Sequence, residues 1–321
     1  MQALEAASVL LSETMIGTES LSEILETILH SAHLTQAIPL SCMLIGPSGA
    51  GKSKLVMQYQ SAVGCHLTTD VTSMGLQEIL AKDTEEKVRF IILPDFNLVL
   101  SHRTSTLQLT IGNLLSMTSE GTIRIDDGRA VKETKHGPIG IISAMTREMY
   151  ATIGKKWIAL GFSRRFLPIN YDYGLQTREK VQASIATGKT TMLHLPERKL
   201  TIPKTKTAVS ISEEDSNRII LYSNELAHNI GWIPLRTGSK PYKNKNGTQV
   251  TARPEFRGPT DYAKPKAVFT GKQMEFSPHI VLRTLARAHA LRDGRDHVTE
   301  DDMGFVMQVI AFTRYDQPVM L

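Results

Sequence analysis

Residues 46–53 read GPSGAGKS, which satisfies the spacing G-x-x-x-x-G-K-[ST] at every fixed position. Glycines at 46, 49 and 51 let backbone N–H groups face a phosphate with no Cβ in the way. Lys52 is placed to reach the β- and γ-phosphates, and the Ser53 hydroxyl to ligate Mg²⁺. The apolar run PLSCMLIG (39–46) predicts a buried strand entering the loop, and a helix is expected from Lys52 to about Ser61. A phosphate would then meet the positive end of a helix dipole. The contacts expected for ATP are therefore Gly46, Pro47, Ser48, Gly49, Ala50, Gly51, Lys52, Ser53 and Lys54.

A nucleotide held this way is hydrolysed only if carboxylates stand nearby, and VRFIILPDFN (88–97) is the strand expected to deliver them. In the hhhh-D-E pattern of P-loop ATPases the first acid holds Mg²⁺ and the second polarises water. This segment has only Asp95, and it aligns in two ways. If Asp95 is the metal-side acid, Phe96 replaces the water-activating one. If Pro94 replaces the metal-side acid, Asp95 activates water. The second alignment is preferred, because four apolar residues then directly precede the pair. Asp95 is the expected catalytic acid in both, and Ser53 and Asp95 are the metal-site candidates.

The elements that must position these groups follow from periodicity. VRFIIL (88–93), GPIGIISA (137–144) and RRFLPINY (164–171) are further core strands, with helical patterns between them. Strands alternating with helices predict an α/β fold, a parallel sheet with helices on both faces. SEGTIRIDDGRAVKET adds a hairpin turning at Asp127-Gly128. Residues 3–33 predict two helices before the first strand. A basic connector is expected over 175–211, then a helix over 212–230 opened by SEED, and two final helices separated by a Val298-Thr299 start signal. His289 is expected to pack or cap within the penultimate helix. Between the helices, residues 232–273 form a Pro- and Gly-rich insertion.

The net charge of +5 is unevenly spread. Residues 234–272 carry +7 and residues 175–206 carry +5, leaving about −7 on the rest. Two basic segments on an acidic body suit a polyanion-facing surface. Cys42 and Cys65 are too few for a disulfide framework, and Cys42 reads as a small buried hydrophobe. The first residues lack a basic stretch before their apolar part, which argues against a signal peptide, and no apolar run is long enough to span a bilayer. A cytoplasmic location is expected, with no membrane partner.

LTIGNLLSMTSEGTIRIDDGRAVKETKHGPIGIISAMTREM (109–149) resembles a region of AAA+ ATPases. There a helix ends in Glu-Gly, a hairpin follows, and a strand ends at a polar sensor residue. The resemblance is to the branch with a hairpin before sensor 1: MoxR-type ATPases, minichromosome maintenance helicases and enhancer-binding activators. It rests on Glu120-Gly121, on the interval from Asp95, and on IISAMT standing where those proteins have IIAATN. It implies that Thr146 is sensor 1, with Ser143 as reserve. LGFSRRFLPINY resembles the element carrying an arginine finger, which implies Arg165, or its neighbour Arg164, acting on the adjacent subunit's nucleotide. LRTLARAHALRDGRDHVTEDDM resembles the family's lid helices, with Arg283 as the sensor 2 candidate and Arg287 the alternative.

The resemblance covers about residues 39–172, and 275–310 less closely. It implies a core over 39–174 and a smaller helical lid over 212–321; residues 1–38 lie outside it and, from their helical spacing, are expected as an N-terminal helical segment. It also implies ATP and Mg²⁺ as cofactors and a homo-oligomeric, hexamer-like ring or spiral. The basic segments 122–135 and 234–272 make DNA the expected target, for a motor or loader of the replication, recombination or mobile-element kind. Two other readings stay open: a MoxR-like ATPase remodelling a protein partner, and an ATP-gated assembly scaffold with little turnover.

Overall fold

A computed structural model describes residues 15–81, 88–126, 131–159, 165–187, 205–230, 276–315 and 317–321. It also describes the short stretches 197–198, 200, 203, 232–234, 242–243, 249–250 and 267–269. The strands are β1 (Ser41–Gly46), β2 (Cys65–Leu67), β3 (Phe90–Leu93), β4 (Thr122–Asp126), β5 (Val131–Lys135), β6 (Gly140–Thr146) and β7 (Phe166–Asp172). Short strands follow: β8 (Trp232–Pro234), β9 (Tyr242–Lys243), β10 (Gln249–Val250), β11 (Ala267–Phe269) and β12 (Val319–Met320). The helices are α1 (Glu19–His30), α2 (Lys52–Met57), α3 (Ser73–Ala81), α4 (Phe96–Leu100), α5 (Thr104–Ser119) and α6 (Arg147–Ala159). They continue as α7 (Leu175–Ala186), α8 (Glu213–Ile230), α9 (Phe276–Arg292) and α10 (Glu300–Phe312).

Six strands form one sheet in the order β2-β3-β6-β1-β7-β12. Every neighbouring pair in it is parallel. The fold is thus α/β, as the alternating pattern predicts. Successive strand residues face opposite sides, so each central strand feeds two cores. Cys42, Leu44, Phe90, Ile92, Ile142, Ala144, Leu167 and Ile169 join α1, α2 and the C-terminal helices on one face. Met43, Ile45, Ile91, Leu93, Ile141 and Met145 join α3, α4 and α5 on the other.

The hairpin β4–β5 forms in register, with Thr122 opposite Lys135 and Asp126 opposite Val131. Its base is tight: Gly121 has φ +69°, and a Cβ there would lie 2.0 Å from the Gly137 carbonyl carbon. Only glycine fits so close a crossing.

Several expectations need correction. Residues 175–186 are helical, so the connector cannot begin at 175. The helix after the glycine-rich loop ends at Met57, short of Ser61. Strands β2 and β12 went unpredicted. Two helices were expected in 3–33; residues 1–14 lie outside the described ones, and the remainder gives α1 and a 3₁₀ turn over Ser31–His33. Within 232–273 the described residues pair as β8 with β11 and β9 with β10, both antiparallel. The rest of that insertion lies outside the described residues. Among the described residues no helix is long and apolar enough to cross a membrane.

The N-terminal segment is no appendage. Leu21, Ile24, Leu25, Ile28 and Leu29 of α1 are fully buried in the same core as Leu282, Leu285 and Val306 of the C-terminal helices. At this junction Asp302 is buried and Arg295 grips both its oxygens, at 2.5 and 2.9 Å. His289 lies 2.6 Å away on Asp302 and stacks on Phe305, the packing role its context suggests. Thr299 and Asp302 cap α10 reciprocally, at the start signal read in the sequence. Burial raises the Asp302 pKa, but hydrogen bonds from His289, Arg295 and Thr299 outweigh it and hold the carboxyl at about 2.

Asp302→Asn should therefore lower stability by about 3 kcal/mol at neutral pH. The wild-type advantage is present in full above the ordinary carboxylate value of 3.8 and is lost as pH falls through about 2. Urea unfolding of both proteins from pH 7 to pH 2 would display the two curves converging.

Candidate functional site

The glycine-rich loop leaves the carboxyl end of β1, where β6 lies on one side and β7 on the other. In open α/β sheets this edge is where ligands bind. Gly49 and Gly51 have φ +77° and +71°, left-handed values that turn backbone N–H groups toward a common point. Lys52 is buried, and its ammonium donates to the carbonyls of Gly46 at 3.1 Å and Pro47 at 2.6 Å. Burial lowers its pKa; the Glu148 and then the Asp95 carboxylates oppose that shift, and Arg147 adds to it.

Two tyrosines hold the loop from β7 and just beyond it. The Tyr171 and Tyr173 hydroxyls both donate to the Ala50 carbonyl, at 3.2 and 3.1 Å. Burial pushes the Tyr173 phenol up to about 12 and the Tyr171 phenol well above its ordinary value, so both remain neutral donors. The loop opens into a cleft of about 620 Å³, lined by Ser48 through Lys54 and, across from them, by Met15, Ile16, Tyr173, Arg178, Val181 and Gln182. Glycine 17 fits the turn beside it: φ is +77° and a Cβ would lie 2.6 Å from Thr177 of α7.

Asp95 follows β3 and caps α4, its Oδ1 accepting from the Asn97 N–H at 2.9 Å. Phe96 is fully buried in the core. The residue directly after Asp95 therefore offers the site no polar group. Thr146 stands directly opposite Gly46 in the β1–β6 pairing, beside the loop, and its hydroxyl accepts from the Met149 N–H at 3.3 Å. Ser143, the reserve, is buried and committed to the Leu93 carbonyl at 2.7 Å, which removes it as a sensor candidate.

Arg165 lies at the other end of the sheet. Phe166 pairs with Ser41, the first residue of β1, and Gly46 lies five residue steps further along that strand. At ~3.3 Å per residue the gap is about 17 Å. The Arg165 guanidinium donates to Ser119 Oγ at 3.3 Å. It cannot serve the loop of its own chain. Arg164 lies outside the described residues.

Neither sensor 2 candidate reaches the cleft. Arg283 is exposed on α9; like Asp95 and Thr146 it does not line the cleft, but unlike them it has neither a strand pairing with the loop nor an influence on Lys52. Arg287 is buried elsewhere, donating to the carbonyls of Val209 at 2.9 Å and Thr35 at 3.0 Å. It ties α9 to the segment that precedes β1.

Sequence reasoning missed Arg147, Glu148, Met15, Ile16, Tyr171, Tyr173 and the α7 residues. Arg147 donates to the Tyr171 carbonyl at 3.1 Å and lies 3.7 Å from Asp172, which also holds Arg178 at 2.9 Å. The tyrosines stood in view in INYDY, directly after SRRFLP, and their spacing of two places both on one side of a strand.

The residues fit a phosphate chain and a divalent cation. Left-handed glycines face the site, Ser53 is exposed to the cleft, and Asp95, outside the cleft lining, lies near enough to Lys52 to act on its charge and is the hard oxygen donor available on that side. A second grouping of possible metal ligands is His289, Asp293 and Asp302. There Arg295 and Arg292 already neutralise the carboxylates, so it serves as an ion-pair cluster. No family model matches this chain, and a search of curated proteins finds no match.

Tyr171→Phe or Tyr173→Phe alone should cost less than about 1 kcal/mol, because the remaining hydroxyl still satisfies Ala50. The double variant should cost about 2 kcal/mol, more than the sum of the singles. A double-mutant cycle by urea denaturation measures this coupling, and strict additivity would contradict it.

Proposed function

We propose that this chain is an ATPase of the AAA+ type, of the branch with a hairpin before sensor 1. In this reading it binds ATP with Mg²⁺ in the cleft over residues 46–54, hydrolyses it, and assembles through its nucleotide sites into a ring or spiral that acts on DNA. The observation that carries the reading is the assembly at the carboxyl end of β1. There the glycine-rich loop with Lys52 and Ser53 lines the cleft, Thr146 pairs with Gly46 beside it, and Asp95 follows β3 on the far side of β6, near enough to act on the Lys52 charge.

Lys52 now bonds the Gly46 and Pro47 carbonyls, so its ammonium is held at the mouth of the loop, ready to exchange those acceptors for phosphate oxygens. Ser53 and Asp95 would hold Mg²⁺, which when bound neutralises charge on the β- and γ-phosphate oxygens. Thr146 can donate to the terminal phosphate or its water. Arg165, about 17 Å from its own loop by strand rise, suits a finger offered to a neighbouring copy. This supports an oligomer in which one chain completes another's site.

DNA is supported by charge, with nine Lys/Arg among residues 234–272 against Glu255 and Asp261. Interleaved Tyr242, Phe256 and Tyr262 suit base stacking. The hairpin sequence over 122–135 adds Arg124, Arg129, Lys132 and Lys135.

Steady-state ATPase assays of wild type, Lys52→Ala and Asp95→Ala, with and without single- and double-stranded DNA, test the reading. Wild type should turn over with DNA stimulation; Lys52→Ala should lose at least about 100-fold in activity, and Asp95→Ala should bind ATP without hydrolysing it. A wild type that binds ATP yet stays silent throughout would favour the nucleotide-gated scaffold. DNA affinity should fall steeply with salt and be lost on deleting 234–272. Unchanged affinity in the deletion would leave a protein target as the better reading.

A further inference from the structure

Strand β3 delivers one carboxylate where hydrolysis of this kind ordinarily uses two. Asp95 already commits one oxygen to the Asn97 N–H, and Phe96 is buried away from the cleft. The next strand over supplies the other candidate. β6 lies between β3 and β1, with Leu93 opposite Ser143 and Gly46 opposite Thr146. The chain beyond each strand therefore emerges side by side: the glycine-rich loop, the Pro94-Asp95 corner and the first turn of α6.

That first turn is firmly placed. α6 begins immediately after Thr146 with no intervening loop. The Thr146 hydroxyl caps it through Met149, the Tyr315 hydroxyl donates to the Arg147 carbonyl at 3.3 Å, and Arg147 itself is drawn to the Tyr171 carbonyl and Asp172. Glu148 comes next, about 100° further round the helix. It is exposed, and among the described residues its carboxylate takes part in no hydrogen bond. α2, which starts at Lys52, packs over β6. Glu148 is also the carboxylate that most favours the charged form of Lys52, ahead of Asp95, so both acids act on the same ammonium.

We propose that Glu148 supplies the second carboxylate of this site, accepting a proton from the water that attacks the terminal phosphorus of a bound nucleoside triphosphate. The inference rests on the ATPase reading above. In the step, a water oxygen lone pair forms the new O–P bond while the proton passes to a Glu148 oxygen. The bond from the terminal phosphorus to the bridging oxygen breaks, and its electron pair leaves on the diphosphate. Nucleoside diphosphate and inorganic phosphate result, and Glu148 returns its proton to solvent. With Glu148 in this role Asp95 falls on the metal side, which reverses the alignment preferred from sequence and makes Phe96 the replacement for the second acid. The two acids then follow different strands, Asp95 directly after Pro94 at the end of β3 and Glu148 in the first turn of α6 after β6.

The test compares wild type, Glu148→Gln and Glu148→Asp on the full chain, with Mg²⁺ and ATP, with and without DNA. Binding is read with a fluorescent ATP analogue, and fold integrity by thermal unfolding without nucleotide. Turnover is read by phosphate release, and bound nucleotide is identified after desalting. Glu148→Gln should bind within about twofold of wild type and unfold at the same temperature. Its phosphate release should fall at least about 100-fold, and the nucleotide it retains should still be ATP. Glu148→Asp should recover part of the rate, because it restores the base with one methylene less reach. Turnover of Glu148→Gln within about threefold of an active wild type would overturn the proposal while leaving the ATPase reading standing. Loss of ATP binding in Glu148→Gln would also overturn it, assigning the residue to binding. A wild type that binds ATP but never releases phosphate would bring down the hydrolysis reading itself, and the base with it.

Discussion

The pairing of Gly46 with Thr146 is the contact on which the candidate site depends. A parallel sheet brings the carboxyl ends of its strands to one edge, and register decides which residues stand together there. With β6 between β1 and β3, one strand supplies the glycine-rich loop, the second a polar residue beside it, and the third an acid. Slipping β6 by one residue would turn Ile141 and Ile142 to the wrong cores and carry Thr146 away from Gly46. The two apolar faces thus fix the chemistry indirectly, by forbidding that slip.

The same packing explains why the cleft has walls far from the loop in sequence. Helix α1 is buried on nearly every side, between the sheet and the C-terminal helices, with Arg292 on Glu23 at 2.9 Å. This holds the turn before it, Met15 to Gly17, between the loop and α7. The Met15 side chain lies so near Gly51 that a Cβ there would be 2.1 Å from its terminal methyl carbon. The sheet, α1 and the C-terminal helices share one hydrophobic interior on this face, so the cleft is built into the fold at a seam.

Much of this was legible in the sequence because the signals were local. Apolar runs bounded by glycine and proline marked β1, β3, β6 and β7, and Ser212 and Thr299 marked helix starts that the structure bears out with side-chain caps. The rest depended on distance. α7 buries no residue completely, so its sequence carries little periodic signal, yet it walls the cleft. β2 has three half-buried residues and cannot stand out. Arg287 looked available until its partners, the carbonyls of Thr35 and Val209, were brought to it from far along the chain. Glu148 gives no signal in TREM, since its electrostatic reach to Lys52 exists only once β6 lies against β1.

The account turns on a nucleoside triphosphate entering the cleft between the loop, the Met15–Ile16 turn and α7. Amide hydrogen exchange with and without ATP and Mg²⁺ tests this most directly, because it reports each backbone segment separately. Slowed exchange is expected over residues 46–54, at 146–149 where α6 begins, and over 173–182, with Lys52→Ala abolishing all three. Protection confined to other segments, or protection that survives in Lys52→Ala, would contradict the assignment of the site.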